Sequence, residues 1–202
     1  MDLLSDGDGP TLVLAHGAGA AMDSRGMSDV ATRLAHRGIR VVRFEFGYMA
    51  ARRSGTRKPP PRAETLRDEY LAVIAEVGGS PVIGGRSMGG RVASLVADEA
   101  GVPGLVCLSY PWHPPAKPDQ PRTAHLAALR TPTLVVQGTR DPFGSPDEVA
   151  GYTLSPAIEL LWLDDGDHDL RPRTAVSGFT HAQHLDTAAD AVAAFVRRVA
   201  EA

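Results

Sequence analysis

Ser87 stands inside GGRSMGGR, residues 84 to 91, with two glycines and an arginine on either side. Gly85, Ser87 and Gly89 give the spacing G-x-S-x-G, in which small residues let a strand turn sharply into a helix without collision. A serine on such a turn presents its hydroxyl above the end of a sheet. The amide of the next residue, Met88, then lies at a helix N-terminus, where it can donate to a developing oxyanion. Serine is a weak nucleophile near neutral pH and needs a base, itself oriented by a third group. For a serine on this turn the partners follow in the order acid, then histidine. TRDPFG puts Asp141 just past a predicted strand, and GDHDL puts His168 after the last strand and before the last helix. Of the seven histidines, His168 alone has that place in the order. The structural alternatives are a helix-capping serine at 87 and a plain Asp-Pro turn at 141.

These three positions need elements to carry them. Apolar runs rich in Val, Leu and Ile occur at 11–16, 39–46, 81–85, 104–110, 132–138 and 157–164. Most are continuous rather than alternating, as suits strands covered on both faces. Helical patterns fall between them at about 27–37, 63–77, 88–100, 122–130 and 145–151, with a last one at about 186–200. The rhythm predicts an α/β chain: a six-stranded, mainly parallel, doubly wound sheet with helices on both faces, one domain over 1–202. In such sheets function lies beyond the carboxyl ends of the strands, where Ser87, Asp141 and His168 all fall. The segments 51–62, 111–121 and 170–184 read as surface loops.

After the first of these strands comes His16-Gly17-Ala18-Gly19. A glycine turn there offers a second backbone donor, that of Ala18, to converge with Met88. The competing reading is a dinucleotide fingerprint, with Glu45 as the ribose acid; Met22 occupies the place of the third glycine, and a nicotinamide site leaves the serine turn unexplained. His181 and His184 form H-x-x-H without a third ligand at regular spacing, so no metal is predicted. The run DDGDHD, residues 164 to 169, lacks the glycine and glutamate of a calcium loop and reads as a solvated loop around His168.

A formal charge of −3, with 43% hydrophobic and 22% charged residues, carries no global basic footprint for nucleic acid. The single cysteine, Cys107, excludes an intramolecular disulfide framework and suits a reducing cytoplasm. The first residues, MDLLSDGDGP, do not read as a secretory signal, and no apolar run approaches a bilayer span. Nothing in the composition sets an oligomeric state.

Taken in order, AHGAGA, GGRSMGGR, GTRDPFG and GDHDL resemble the α/β-hydrolase superfamily, and more narrowly its small lid-less, dienelactone-hydrolase-like group. The resemblance runs over nearly the whole chain. It implies a Ser87 nucleophile, a His168 base, an Asp141 orienting acid, and an oxyanion hole from the backbone of Ala18 and Met88. It implies no cofactor, and a small ester or thioester as the partner molecule. The superfamily's first two strands have no room before residue 11, and residues 111–130 leave space for one short helix but no full cap domain. Tyr48, Trp112 and Phe143 are expected to line the substrate pocket, with Met49, His113 and Leu170 on its rim. The basic stretch Arg52, Arg53, Arg57, Lys58 and Arg62 would lie on the same side, as a solvated loop or an attractor for an anionic group. The rival expectation is a binding protein that keeps the fold and pocket without turnover.

Overall fold

The computed structural model describes residues 2–56 and 58–201. Its sheet is mainly parallel, as the rhythm of runs predicts, but it has seven strands rather than six, in the order β1-β3-β2-β4-β5-β6-β7. They are β1 Leu3–Asp6, β2 Thr11–Ala15, β3 Arg40–Phe44, β4 Val82–Arg86, β5 Leu105–Leu108, β6 Thr133–Gly138 and β7 Ile158–Leu163. The strand missed by pattern is β1, which runs antiparallel to β3 at the sheet edge, so one strand does fit before residue 11. Its four residues, LLSD, are half-exposed and lack the continuous apolar run of the buried strands. Gly7 and Gly9, at φ 73° and 109°, turn the chain from β1 into β2. At both positions a β-carbon would lie within 3 Å of backbone of the 35–39 segment, so only glycine fits.

The helices are α1 Arg25–Ala35, α2 Gly47–Arg53, α3 Arg67–Val77, α4 Met88–Ala100, α5 Pro146–Ala150, α6 Thr174–Ser177 and α7 His181–Ala200. A 3-10 turn at Ala63–Leu66 precedes α3, and another, Ala124–Ala128, occupies the one short helix expected before β6. The sheet separates two cores. On one face Tyr70 and Val73 of α3 and Val92, Ala93, Val96 and Ala97 of α4 pack on Val13, Phe44 and Ile83. On the other, Met27, Ala31 and Leu34 of α1 and the Ala188, Val192 and Val196 face of α7 cover Leu12, Leu14 and Val106. Burying an aliphatic side chain of this size is worth about 1.5–3 kcal/mol, which makes the apolar faces of these four helices the main restraint on the sheet. Two of the expected loops hold structure: α2 takes up the start of the 51–62 segment, and α6 with the first turn of α7 takes up much of 170–184.

Candidate active site

The sharp turn between β4 and α4 is built from missing side chains. A β-carbon on Gly85 would lie 2.4 Å from the Gly89 carbonyl carbon, and one on Gly89 would lie 2.5 Å from the His16 carbonyl oxygen. The helix thus starts against the backbone of both β4 and the loop after β2. Ser87 sits at φ 50° and ψ −117°, a conformation costing about 1–3 kcal/mol for a residue with a β-carbon. It is held there by its amide, which donates to the Leu108 carbonyl at 2.8 Å, and by its carbonyl, which accepts from the Arg91 amide at 3.0 Å. Its side chain caps nothing, which removes the helix-cap alternative.

His168 Nε2 lies 2.9 Å from Ser87 Oγ, and His168 Nδ1 lies 2.8 Å from Asp141 Oδ2. The three residues expected to work together therefore meet, although 81 and 27 positions separate the paired members. Asp141 is more than a turn residue. Its side chain is fully buried, Oδ1 accepts the Phe143 amide at 2.9 Å, and Oδ2 accepts Gln137 Nε2 at 2.7 Å. Both oxygens already accept protons from amides, so the histidine Nδ1 is the donor in the third bond and Nε2 is left to accept from the serine hydroxyl. Gln137 was not singled out in the sequence; it points inward from β6, and only its place four residues before Asp141 hints at the contact.

The loop that carries His168 is fixed at several points. Asp165 is buried rather than solvated, contrary to the expectation for the acidic run. Hydrogen bonds from Arg173, with Arg140 nearby, hold its carboxyl down at about 2. Asp167 Oδ1 accepts the amides of Asp169 and Arg171 at 2.8 and 2.9 Å, a local turn that replaces missing backbone pairing. Asp169 pairs with Arg86, next to Ser87. His181 and His184 bond the carbonyls of Asp169 and Leu170 at 2.9 and 3.1 Å, so the H-x-x-H pair ties α7 to this loop.

Ala18 and Met88 line the same cleft as Ser87, a space of about 630 Å³, and neither amide has an acceptor among the described residues. The loop bearing Ala18 is pinned at both ends. His16 sits between the Gly17 carbonyl, 2.6 Å from Nδ1, and the Phe46 amide, which donates to Nε2 at 3.2 Å, and desolvation by burial lowers its pKa. Glu45, the candidate ribose acid, instead accepts the Met22 amide and Arg53. A second cavity, of about 440 Å³, opens behind the His168 loop between the starts of α1 and α7, and neither Ser87 nor His168 lines it.

The expected pocket needs three corrections. Trp112 is fully buried, packed on Tyr110 and stacked on Tyr152, and a β-carbon on Gly144 would lie 2.3 Å from its ring. It is a core pillar under the Asp141–Gly144 turn. Tyr48 is half-buried, and its hydroxyl donates to the Ala18 carbonyl at 3.0 Å, so it supports the glycine loop. Met49, His113 and Leu170 are buried too. Phe143 alone is placed as expected: it lines the cleft, and its ring lies 4.2 Å from that of His168. These misplacements share a cause, since position in a loop after a strand does not say which way a large apolar side chain turns. Of the basic stretch, Arg53 is paired with Glu45 and Asp23, Arg52 lies over the Tyr48 ring, Arg57 falls outside the described residues, and Arg62 lines the cleft. Arg91 and Arg122, which also line it, were not anticipated.

Among the described residues no helix is long and apolar enough to cross a membrane. Solved structures share the fold. A lid-less α/β serine hydrolase from Xanthomonas campestris is 20% identical with a TM-score of 0.72, the match covering 98% of this chain and 88% of that one. Est1E from Butyrivibrio proteoclasticus, seen with ferulic acid bound, is 15% identical with a TM-score of 0.74, covering 100% and 96%. A thermophilic esterase from Thermogutta terrifontis is 19% identical with a TM-score of 0.70, covering 98% and 93%. At these identities the likeness speaks for the fold. The sequence itself goes further: a family model described as an alpha/beta hydrolase domain matches residues 8–197, and the chain belongs to that family.

Proposed function

We propose that the protein is a serine hydrolase of esterase type, acting on a small ester or thioester through an acyl-enzyme, with residues 1–202 as one catalytic domain. The observation that carries this is the row Ser87 Oγ, His168 Nε2, His168 Nδ1 and Asp141 Oδ2, with links of 2.9 and 2.8 Å, opening on a cleft that two unused amides also line.

In the first half-reaction Ser87 Oγ attacks the carbonyl carbon and its proton passes to His168 Nε2. The carbonyl oxygen becomes an oxyanion, bonded by the amides of Met88 and Ala18; one such donor is worth about 3–4 kcal/mol in the transition state. His168 gives the proton to the leaving oxygen or sulfur as the bond to the acyl carbon breaks, and an alcohol or thiol departs. In the second half a water gives its proton to His168 and its oxygen to the acyl carbon. The proton then returns to Ser87 Oγ, releasing the acid. Asp141 keeps the ring in the tautomer that both halves need and stabilises the imidazolium between them. Among the described residues no cap domain covers the cleft, and an open cleft fits compact substrates.

Ser87→Ala is expected to lower kcat on p-nitrophenyl esters by at least about 10^4-fold with the circular dichroism spectrum unchanged. A fluorophosphonate should label wild type at Ser87 and leave the variant unmodified by intact mass. Equal hydrolysis by the two proteins would refute Ser87 as the nucleophile, and a serine inert to the probe would favour the binding-protein alternative.

A further inference from the structure

Three arginines line the proposed active-site cleft, Arg62, Arg91 and Arg122, against one carboxylate, Glu64. Arg91 projects from the first turn of α4, four residues after Ser87, and pairs with Glu64. Its Nε is buried with no hydrogen-bond partner. Arg122 is half-buried, and its guanidinium makes no hydrogen bond or ion pair among the described residues. Its backbone, by contrast, is anchored: the amide donates to the Trp112 carbonyl at 2.7 Å, and the carbonyl accepts the Tyr110 hydroxyl at 2.9 Å. Burial, and then repulsion from Arg91, lowers the pKa of Arg122 from its ordinary value, and the opposing influence of Tyr110 and the Glu64 carboxylate is weaker. A partly desolvated guanidinium with no partner is costly, and a planar fork of donors matches a carboxylate in particular. The rest of the wall is apolar or neutral, from Pro60, Pro61, Pro111 and Gln120, so the cationic end is localised.

We infer that the cleft selects esters carrying a second, anionic group, a carboxylate that docks on Arg122 and Arg91 while the ester carbonyl lies at Ser87. This rests on the serine hydrolase reading. The carboxylate can belong to the acyl part, as in a monoester of a dicarboxylic acid, or to the departing alcohol.

Two substrate pairs separate these sources: mono-p-nitrophenyl glutarate against p-nitrophenyl valerate, and 4-acetoxybenzoate against 4-acetoxybenzamide. Wild type should prefer the anion in at least one pair by about tenfold or more in kcat/KM, the scale of one charge-assisted hydrogen bond. The pair showing it identifies the part that bears the charge. Arg122→Gln should lower that anion-to-neutral ratio by about tenfold. Glu64→Gln, which frees Arg91, should raise it, a direction that loss of folding does not produce. No preference in either pair, a ratio unmoved by Arg122→Gln, or a ratio lowered by Glu64→Gln overturns the inference. If Ser87 takes the fluorophosphonate and the neutral esters are hydrolysed, such a result leaves the hydrolase reading standing. If Ser87 is unlabelled and none of the four esters is turned over, both fall.

Discussion

Gln137→Leu tests whether the support behind Asp141 matters to turnover as well as to folding. Gln137 is fully buried and does not line the cleft, so substrate has no contact with it. Its Nε2 supplies one of the three bonds to the Asp141 carboxylate, at 2.7 Å, and a weaker one to the Tyr110 carbonyl at 3.3 Å. Losing a charge-assisted bond costs about 1.5–3 kcal/mol, and losing the longer one about 0.5 kcal/mol. Against this, Gln137 Oε1 is buried without a partner, and removing it returns about 1–2 kcal/mol. Leucine has nearly the volume of glutamine, so no cavity is added. The net is a loss of about 1 kcal/mol, read as a fall of roughly 0.5 M in the urea midpoint. In kinetics a looser carboxylate orients the imidazole less well, and a barrier raised by the same ~1 kcal/mol lowers kcat about fivefold at constant KM, since 1.36 kcal/mol is one decade of rate. Asp141→Asn sets the scale, with an expected fall of about 10^4-fold from the wrong tautomer. A Gln137→Leu enzyme with unaltered kcat, or with its defect confined to KM, would refute the positioning role.

Two further outcomes follow from the packing and the buried charges. Gly89→Ala should destabilise the fold by about 1–3 kcal/mol in chemical denaturation, because its β-carbon would lie 2.5 and 2.6 Å from the carbonyl oxygens of His16 and Ala15, both backbone atoms that cannot swing aside; a wild-type midpoint would contradict the tight elbow. His125, bonded to Ser94 at 2.8 Å, has its pKa lowered to about 4 by burial and then by Arg91. The unfolded chain therefore binds its proton first: this contribution is intact above about pH 6.5 and lost as pH falls towards 4. It amounts to about 1–2 kcal/mol once solvent screening is allowed for. The decline in thermal midpoint over that interval should be smaller in His125→Gln, and equal slopes would exclude His125 as the source.

The sheet and its turns were legible because their causes are local. Continuous Val, Leu and Ile runs mark strands covered on both faces, and all six such runs formed strands. Edge strand β1 was not legible, since its four half-exposed residues are held by pairing with Leu3 opposite Phe44, a contact between residues far apart in the chain. Helix α7 begins at His181, earlier than the apolar pattern alone suggests, because Thr180 and Gln183 form a capping box and the next residues tie down the His168 loop.

By itself the sequence determined where the chain must bend and in what order serine, aspartate and histidine follow the strands, because the sterics of glycine turns and strand ends act over a few residues. Only the tertiary structure decided what surrounds them. It turned Trp112 and Leu170 into the core, set Tyr48 under the glycine loop, brought Gln137 to the back of Asp141, and left the Arg122 guanidinium beside the cleft with no hydrogen bond or ion pair among the described residues. Those outcomes depend on packing and charge between segments distant along the chain, where the direction of a side chain is chosen by neighbours that no local pattern records.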